Sequence, residues 1–147
     1  MSPVFQATIA RGTPGPRPKM ARGIYSFADD GGVVGTIALM GAVTGVIPAG
    51  ATVWGGWVEV TEALTSGGAA TAAIQVEAAG DIVPAQTLGT WTTGRKRIIP
   101  AAASSTVLAA ATDVRTTLDR DVSLVIGAFD LTAGAFSVVL FYTDPLA

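Results

Sequence analysis

The chain has 147 residues, half of them hydrophobic and 14% charged, which is the make-up of one folded domain and excludes an intrinsically disordered chain. It contains no cysteine and no histidine, so disulfides, thiolate nucleophiles, Ser-His-Asp catalysis and sulfur- or imidazole-bound metals are all excluded. The formal net charge of −2 divides into +4 from Arg11, Arg17, Lys19 and Arg22, with no acid before residue 23, and −6 from five basic and eleven acidic side chains after it. A basic leader on an acidic body is a meaningful pattern, and an acidic body is a poor surface for nucleic acid.

Residues 1–21 read as an extended, proline-rich basic arm. Gly12-Thr13-Pro14-Gly15-Pro16-Arg17-Pro18 cannot propagate a helix. Stretched out, 20 residues reach about 65 Å, enough to cross onto a neighbouring molecule. A terminus with no partner has the same composition. The opening Met-Ser-Pro-Val-Phe-Gln lacks the charged and apolar regions of a signal peptide. Residues 31–58 hold no charge, but eight glycines and Pro48 interrupt them. A membrane helix needs about 20 predominantly apolar residues, so buried strands joined by glycine turns are expected there, and no membrane partner.

Residues 22–147 read as an all-β domain, with strands near 22–28, 33–40, 52–62, 69–78, 91–99, 106–117, 120–129 and 135–143. Around Thr65-Ser66-Gly67-Gly68, alternation places Trp54, Val58 and Val60 on one face and Trp57, Glu59 and Thr61 on the other. Beyond it Ala70, Ala72, Ile74, Val76 and Ala78 face one way. This predicts an antiparallel hairpin. A second hairpin is expected between the stripe Val122, Leu124, Ile126, Ala128 and the stripe Phe136, Val138, Leu140, Tyr142, with Leu131-Thr132-Ala133-Gly134 as its turn. The other face of that last strand carries Val139 and Phe141, also apolar. A strand apolar on both faces is either central in a sandwich or a subunit interface. The alanine-rich stretch 98–112 allows a short helical turn, although Pro100 and the Ser104-Ser105-Thr106 run oppose a long helix. About eight short strands separated by turns give an antiparallel β-sandwich or jelly roll.

Few constellations carry chemistry. Asp29-Asp30-Gly31-Gly32 lacks the spaced oxygen ligands of a calcium loop and reads as a tight turn. Glu59 and Glu62, three apart on a strand, point to opposite faces, and Glu59 approaches Glu77 only across the first hairpin. All three read as solvated carboxylates. Arg95-Lys96-Arg97 reads as a solvated turn or strand end. Trp54, Trp57 and Trp91 raise sugar binding, but Trp54 and Trp57 sit on opposite faces and core packing is the commoner use. No phosphate-binding glycine loop occurs. No catalytic residue, metal ligand or cofactor is expected, and an enzyme is the least supported class.

The run Ile47-Pro48-Ala49-Gly50-Ala51, the segment from Trp57 to Thr71 (Trp-Val-Glu-Val-Thr-Glu-Ala-Leu-Thr-Ser-Gly-Gly-Ala-Ala-Thr), and Leu131-Thr132-Ala133-Gly134-Ala135-Phe136 with the closing Phe141-Tyr142 resemble head decoration, or cement, proteins of tailed bacteriophages, which have a jelly-roll fold. The resemblance covers about residues 46–143. It implies a non-enzymatic virion protein, made in the host cytoplasm, that binds the major capsid protein on the outer capsid surface and stabilises the head by bridging subunits. On that reading Val4, Phe5, Arg11, Arg17, Lys19 and Arg22 form a capsid-contact arm, and Val139 and Phe141 a subunit interface in a dimer or trimer. A tail or baseplate component and a glycan-binding module on the virion surface are the competing readings.

Overall fold

The computed structural model describes residues 18–39, 46–98 and 113–144. Among these, nine strands lie in chain order: β1 (Pro18–Ser26), β2 (Gly35–Ala38), β3 (Thr52–Ser66), β4 (Thr71–Gln75), β5 (Val83–Thr87), β6 (Gly94–Ile98), β7 (Val114–Arg115), β8 (Ser123–Gly127) and β9 (Leu131–Thr143). One helical turn, α1 (Phe27–Asp30), follows β1, and a 3-10 turn (Leu88–Thr90) precedes β6. No helix among the described residues is long and apolar enough to cross a membrane.

The strands form two antiparallel sheets, ordered β1-β9-β3-β6 and β2-β8-β4-β5, with β7 also on β3. The pairs β1–β9, β2–β8, β3–β6 and β4–β5 are the rungs of one long antiparallel ribbon whose tip is the β4–β5 connection. The ribbon is rolled so that β9 also pairs with β3, and β8 with β4. This is the jelly-roll form of an all-β sandwich.

Inward side chains alternate along each strand and meet between the sheets. Phe136, Val138, Leu140 and Tyr142 of β9, with Val58 and Val60 of the adjacent β3, face Leu124 and Ile126 of β8 and Ala72 and Ile74 of β4 in one buried cluster. Tyr25 and Trp91 flank Phe136, with ring centroids 5.4 and 5.2 Å away. The Tyr25 hydroxyl donates to the Gly31 carbonyl at 2.7 Å. Burial, helped by the nearby Asp30 carboxylate, pushes its pKa up to about 12.

Both expected hairpins are corrected. β3 and β4 lie in different sheets, as do β8 and β9, so the Thr65–Gly68 and Phe129–Asp130 connections cross between layers. The two-residue period told which face is buried, and it is the same whether the partner strand is adjacent in sequence or across the sandwich. Leu131–Gly134, expected as a turn, is the start of β9. β5 falls where no strand was expected. Pro84 argues against an interior strand, but β5 is the outermost strand of its sheet, where proline is tolerated. Asp29 and Asp30 end the helical turn α1, which Gly31 closes at φ 74°, and Asp30 accepts from the Ser26 N–H at 3.0 Å. β1 already begins at Pro18, so the expected arm boundary at residue 21 falls inside a strand. The expected helical turn within 98–112 lies outside the described residues apart from Ile98.

The segment leading into β8 is fastened by polar groups. Thr116 is buried, donates to the Pro48 carbonyl at 2.6 Å and accepts from the Ala51 N–H at 3.1 Å. Glu77, just beyond β4, accepts from the Thr117 N–H and from the guanidinium of Arg120. The Arg120 guanidinium, then the Thr117 N–H, hold its carboxyl below the usual carboxylate range. A folded-state pKa below the unfolded one stabilises fully above the unfolded value, and the gain is lost as pH falls through the folded value. Acid titration of thermal melts therefore shows a shallower loss of stability in Glu77→Gln than in the parent chain, from a lower starting Tm at neutral pH.

Where β3 passes β9, Gly56 has no room for a side chain: a Cβ there would lie 2.0 Å from the Val139 carbonyl oxygen. Gly56→Ala forces these two strands apart and lowers stability by about 3 kcal/mol, read as a fall in the denaturant midpoint with little change in slope.

Candidate interaction face

The outward face of the β1-β9-β3-β6 sheet carries three exposed large hydrophobic residues, Met20, Ile24 and Trp54, beside three arginines, while Val33, Val34, Leu118 and Phe129 are exposed outside the strands. Register sets its rows. Arg22, Val139, Trp57 and Arg97 lie side by side across the four strands, and Ile24, Ser137, Glu59 and Arg95 form the next row. On the other side, Met20 lies opposite Phe141, which lies opposite Gly55.

Two β-bulges decide what reaches this face. The first, between Val53 and Gly55, gives Trp54 an extra position in the strand. Its ring stacks on Phe141 at 5.2 Å, and Trp57 meets the same ring edge-on at 5.3 Å. Trp54 and Trp57 therefore share the outer face, against the expectation from strict alternation. The second bulge, between Val60 and Glu62, sets Glu62 opposite Ala135 while Glu59 stays opposite Ser137. Both are outward positions of β9, so these two glutamates also share a face. Glu77 belongs to the other sheet's side and pairs with Arg120, which corrects the expected approach of Glu59 to Glu77.

The electrostatics of the face come from β1 and β6. Arg95 places its guanidinium 5.1 Å from the centre of the Trp57 ring and 3.3 Å from the Glu59 carboxylate, a cation-π contact beside an exposed ion pair. Lys96 turns to the opposite side and donates to the Thr92 carbonyl. Arg95-Lys96-Arg97 is thus an edge strand whose charges also guard an open sheet edge.

The expected contact residues divide into three groups. Val4, Phe5, Arg11 and Arg17 lie outside the described residues. Lys19 is on β1 and reaches the Asp144 carboxylate at 2.6 Å. Arg22 on β1, with Val139 and Phe141 on β9, stands on the outer face. Met20, Ile24 and Arg97 are the neighbours that sequence reasoning left out. Their signal was alternation on either side of Arg22 and within the Arg-Lys-Arg run, legible only once β1 is known to flank β9 and β6 to flank β3.

No family model matches the chain, and no curated protein matches it. Among the solved structures that share its fold are two phage capsids. A chain of the cyanophage Pam1 capsid asymmetric unit is similar over 90% of this chain and 89% of its own length, at 18% identity and a TM-score of 0.57. A chain of the acid-stable capsid of Helicobacter pylori bacteriophage KHP30 is similar over 88% and 89%, at 13% identity and a TM-score of 0.54. Coverage so even in both directions means that the matched chains have about this chain's length.

Among the described residues no three carboxylates gather as a metal site. A small cavity of about 140 Å³ between β3, β5 and β6 is lined by Val58, Val83, Trp91 and Ile98, with Gln86 and Lys96 at its polar side. It is smaller than the usual small-molecule site, about 300 Å³ or more. The Trp91 indole N–H, buried in the core, has no hydrogen-bond partner among the described residues.

The three tryptophans differ in access, with Trp54 43% and Trp91 4% exposed. Acrylamide quenching of intrinsic fluorescence resolves a quenchable and a protected fraction, and Trp54→Phe removes most of the quenchable one. An unchanged quenching curve would show that Trp54 is covered in solution.

Proposed function

We propose that this chain is a structural protein of a phage virion, and specifically a decoration or cement protein that sits on the outer capsid surface and bridges subunits of the major capsid protein. The observation that carries the reading is the whole-length likeness in fold to chains of two phage capsids. The physical logic supports it. A molecule that spans several shell subunits binds only the assembled shell, so its binding free energy stabilises the assembly by linkage. The rolled β body is a compact unit for the outside of a head, and no step of its action needs catalysis or a cofactor.

Val4, Phe5, Arg11 and Arg17 supply the arm that lies across shell subunits. Association into a dimer or trimer presents several arms together and multiplies weak contacts into avidity. Prolines reduce the ordering entropy that an extended arm loses on binding. The protein is made in the host cytoplasm and ends in the virion.

Removing residues 2–17 tests the arm without cutting into β1. In co-sedimentation with expanded heads lacking this protein, the full chain binds saturably and the truncated chain binds more weakly. Equal binding by both sinks the arm's role, and binding by neither, with recovery in tail fractions, sinks the cement reading.

A further inference from the structure

Sandwich sheets exposed to water ordinarily turn polar residues outward. The β2-β8-β4-β5 sheet comes nearer to this, with Thr36, Ser123, Gln75 and Thr71 sharing its outer rows with Ala38, Ala73 and Val125, and no large hydrophobic residue of those rows strongly exposed. The β1-β9-β3-β6 sheet breaks the rule. Met20 is 63%, Ile24 54% and Trp54 43% exposed. Met20 lies opposite Phe141, on which Trp54 and Trp57 pack, and Val139 beside Trp57 extends this apolar band, while Ile24 stands beyond Arg22 in the row of Ser137 and Glu59.

We propose that this outward face is the surface by which the β body docks on an acidic protein surface of the capsid shell. The Met20, Trp54, Trp57 and Phe141 band fills the centre of the contact, and Arg22, Arg95 and Arg97 meet carboxylates at its rim. The assignment rests on the capsid reading above and names the partner chemistry for the body as distinct from the arm.

Charge chooses the partner. The body as a whole has an acidic excess, five basic against eleven acidic side chains beyond residue 22. Yet three arginines stand on this one face against two glutamates, Glu59 and Glu62, and among the described residues Arg95 alone of the three arginines pairs with a carboxylate there, Glu59. Arg22 and Arg97 border the band from opposite sides of the same row. A partner carrying carboxylates around an apolar centre complements that arrangement.

The same row argues against a two-fold contact of this face with a second copy of this chain. A two-fold interface places a patch on itself. A two-fold axis along the strands between β9 and β3 sets Arg22 of one copy over Arg97 of the other. An axis along the row sets each arginine over its own counterpart. Either arrangement buries like charges against each other beside the apolar band, which selects against it.

The aromatic geometry argues against a sugar. A glycan platform offers an open ring face, but Trp54 is stacked on Phe141, and Trp57 is flanked by the Phe141 ring and by the Arg95 guanidinium. What remains exposed is a corrugated apolar ridge suited to protein side chains.

The test compares the full chain with Arg22→Glu/Arg97→Glu, Arg22→Lys/Arg97→Lys and Trp54→Ser, using expanded heads lacking this protein as the probe at low and high salt. Thermal melts confirm folding, and sedimentation velocity reads the oligomeric state of each free protein. The charge reversal weakens head binding by about tenfold or more and flattens its salt dependence, the lysine pair stays within a few-fold of the parent, and Trp54→Ser also binds more weakly. Parent-like binding by both the charge reversal and folded Trp54→Ser overturns the proposal. A charge reversal that alters the free oligomer while leaving head binding intact overturns it in favour of a copy-to-copy contact. A tryptophan fluorescence change on adding sugars, abolished in Trp54→Ser, overturns it in favour of a glycan. Failure of the parent chain to bind heads defeats the cement reading itself, and the partner named here with it.

Discussion

The structure depends on β9 being paired along both edges. Thirteen residues from Leu131 to Thr143 lie between β1 and β3, and the pairing with β3 is the step that turns an open ribbon into a closed roll. Closure has a steric condition: the backbones of β3 and β9 approach so closely at Gly56 and Val139 that no Cβ fits. Once it is met, every second residue of β9 is committed to the core and every other one to the outer face. The same strand supplies Phe136, Val138 and Leu140 inside and Val139 and Phe141 outside. Core and candidate face are two sides of one register.

That dependence explains what could be read in advance. The stripes Leu124–Ile126 and Phe136–Tyr142 were legible because burial imposes a two-residue period that local sequence must obey. Partners were not legible, since a rolled ribbon and a chain of short hairpins impose the same alternation. Only the sheet order distinguishes them, and the sheet order is a matter of long-range closure. β5 escaped notice because an outermost strand with a proline obeys weaker rules than an interior one.

The face was half legible for a related reason. Arg22, Val139 and Phe141 carried readable signals of charge and two-sided apolarity. Trp54 and the pair Glu59 and Glu62 were assigned to faces by strict alternation, and each assignment was undone by a bulge in β3. A single inserted residue moves every later side chain to the other face unless a second irregularity restores the phase. Gly55-Gly56, directly after Trp54, is the kind of strand glycine that marks such an insertion, whereas nothing in the residues around Thr61 announces one. The bulges exist because β3 must bend with the roll, a demand set by strands far away in sequence.

The two ends of the sheet's edge pair meet at one corner of the body. Pro18 lies opposite Thr143, and Lys19 is tied to Asp144. Because β1 and β9 are antiparallel, tension applied between that Pro18 end and that Thr143 end opens their hydrogen bonds one rung at a time, beginning with the Lys19–Asp144 clasp. Tension applied along β1 against the opposite end of the body loads the rungs together. The same joint therefore peels easily in one direction and resists shear in the other, so its mechanical strength is set by the direction of the pull as much as by the number of bonds.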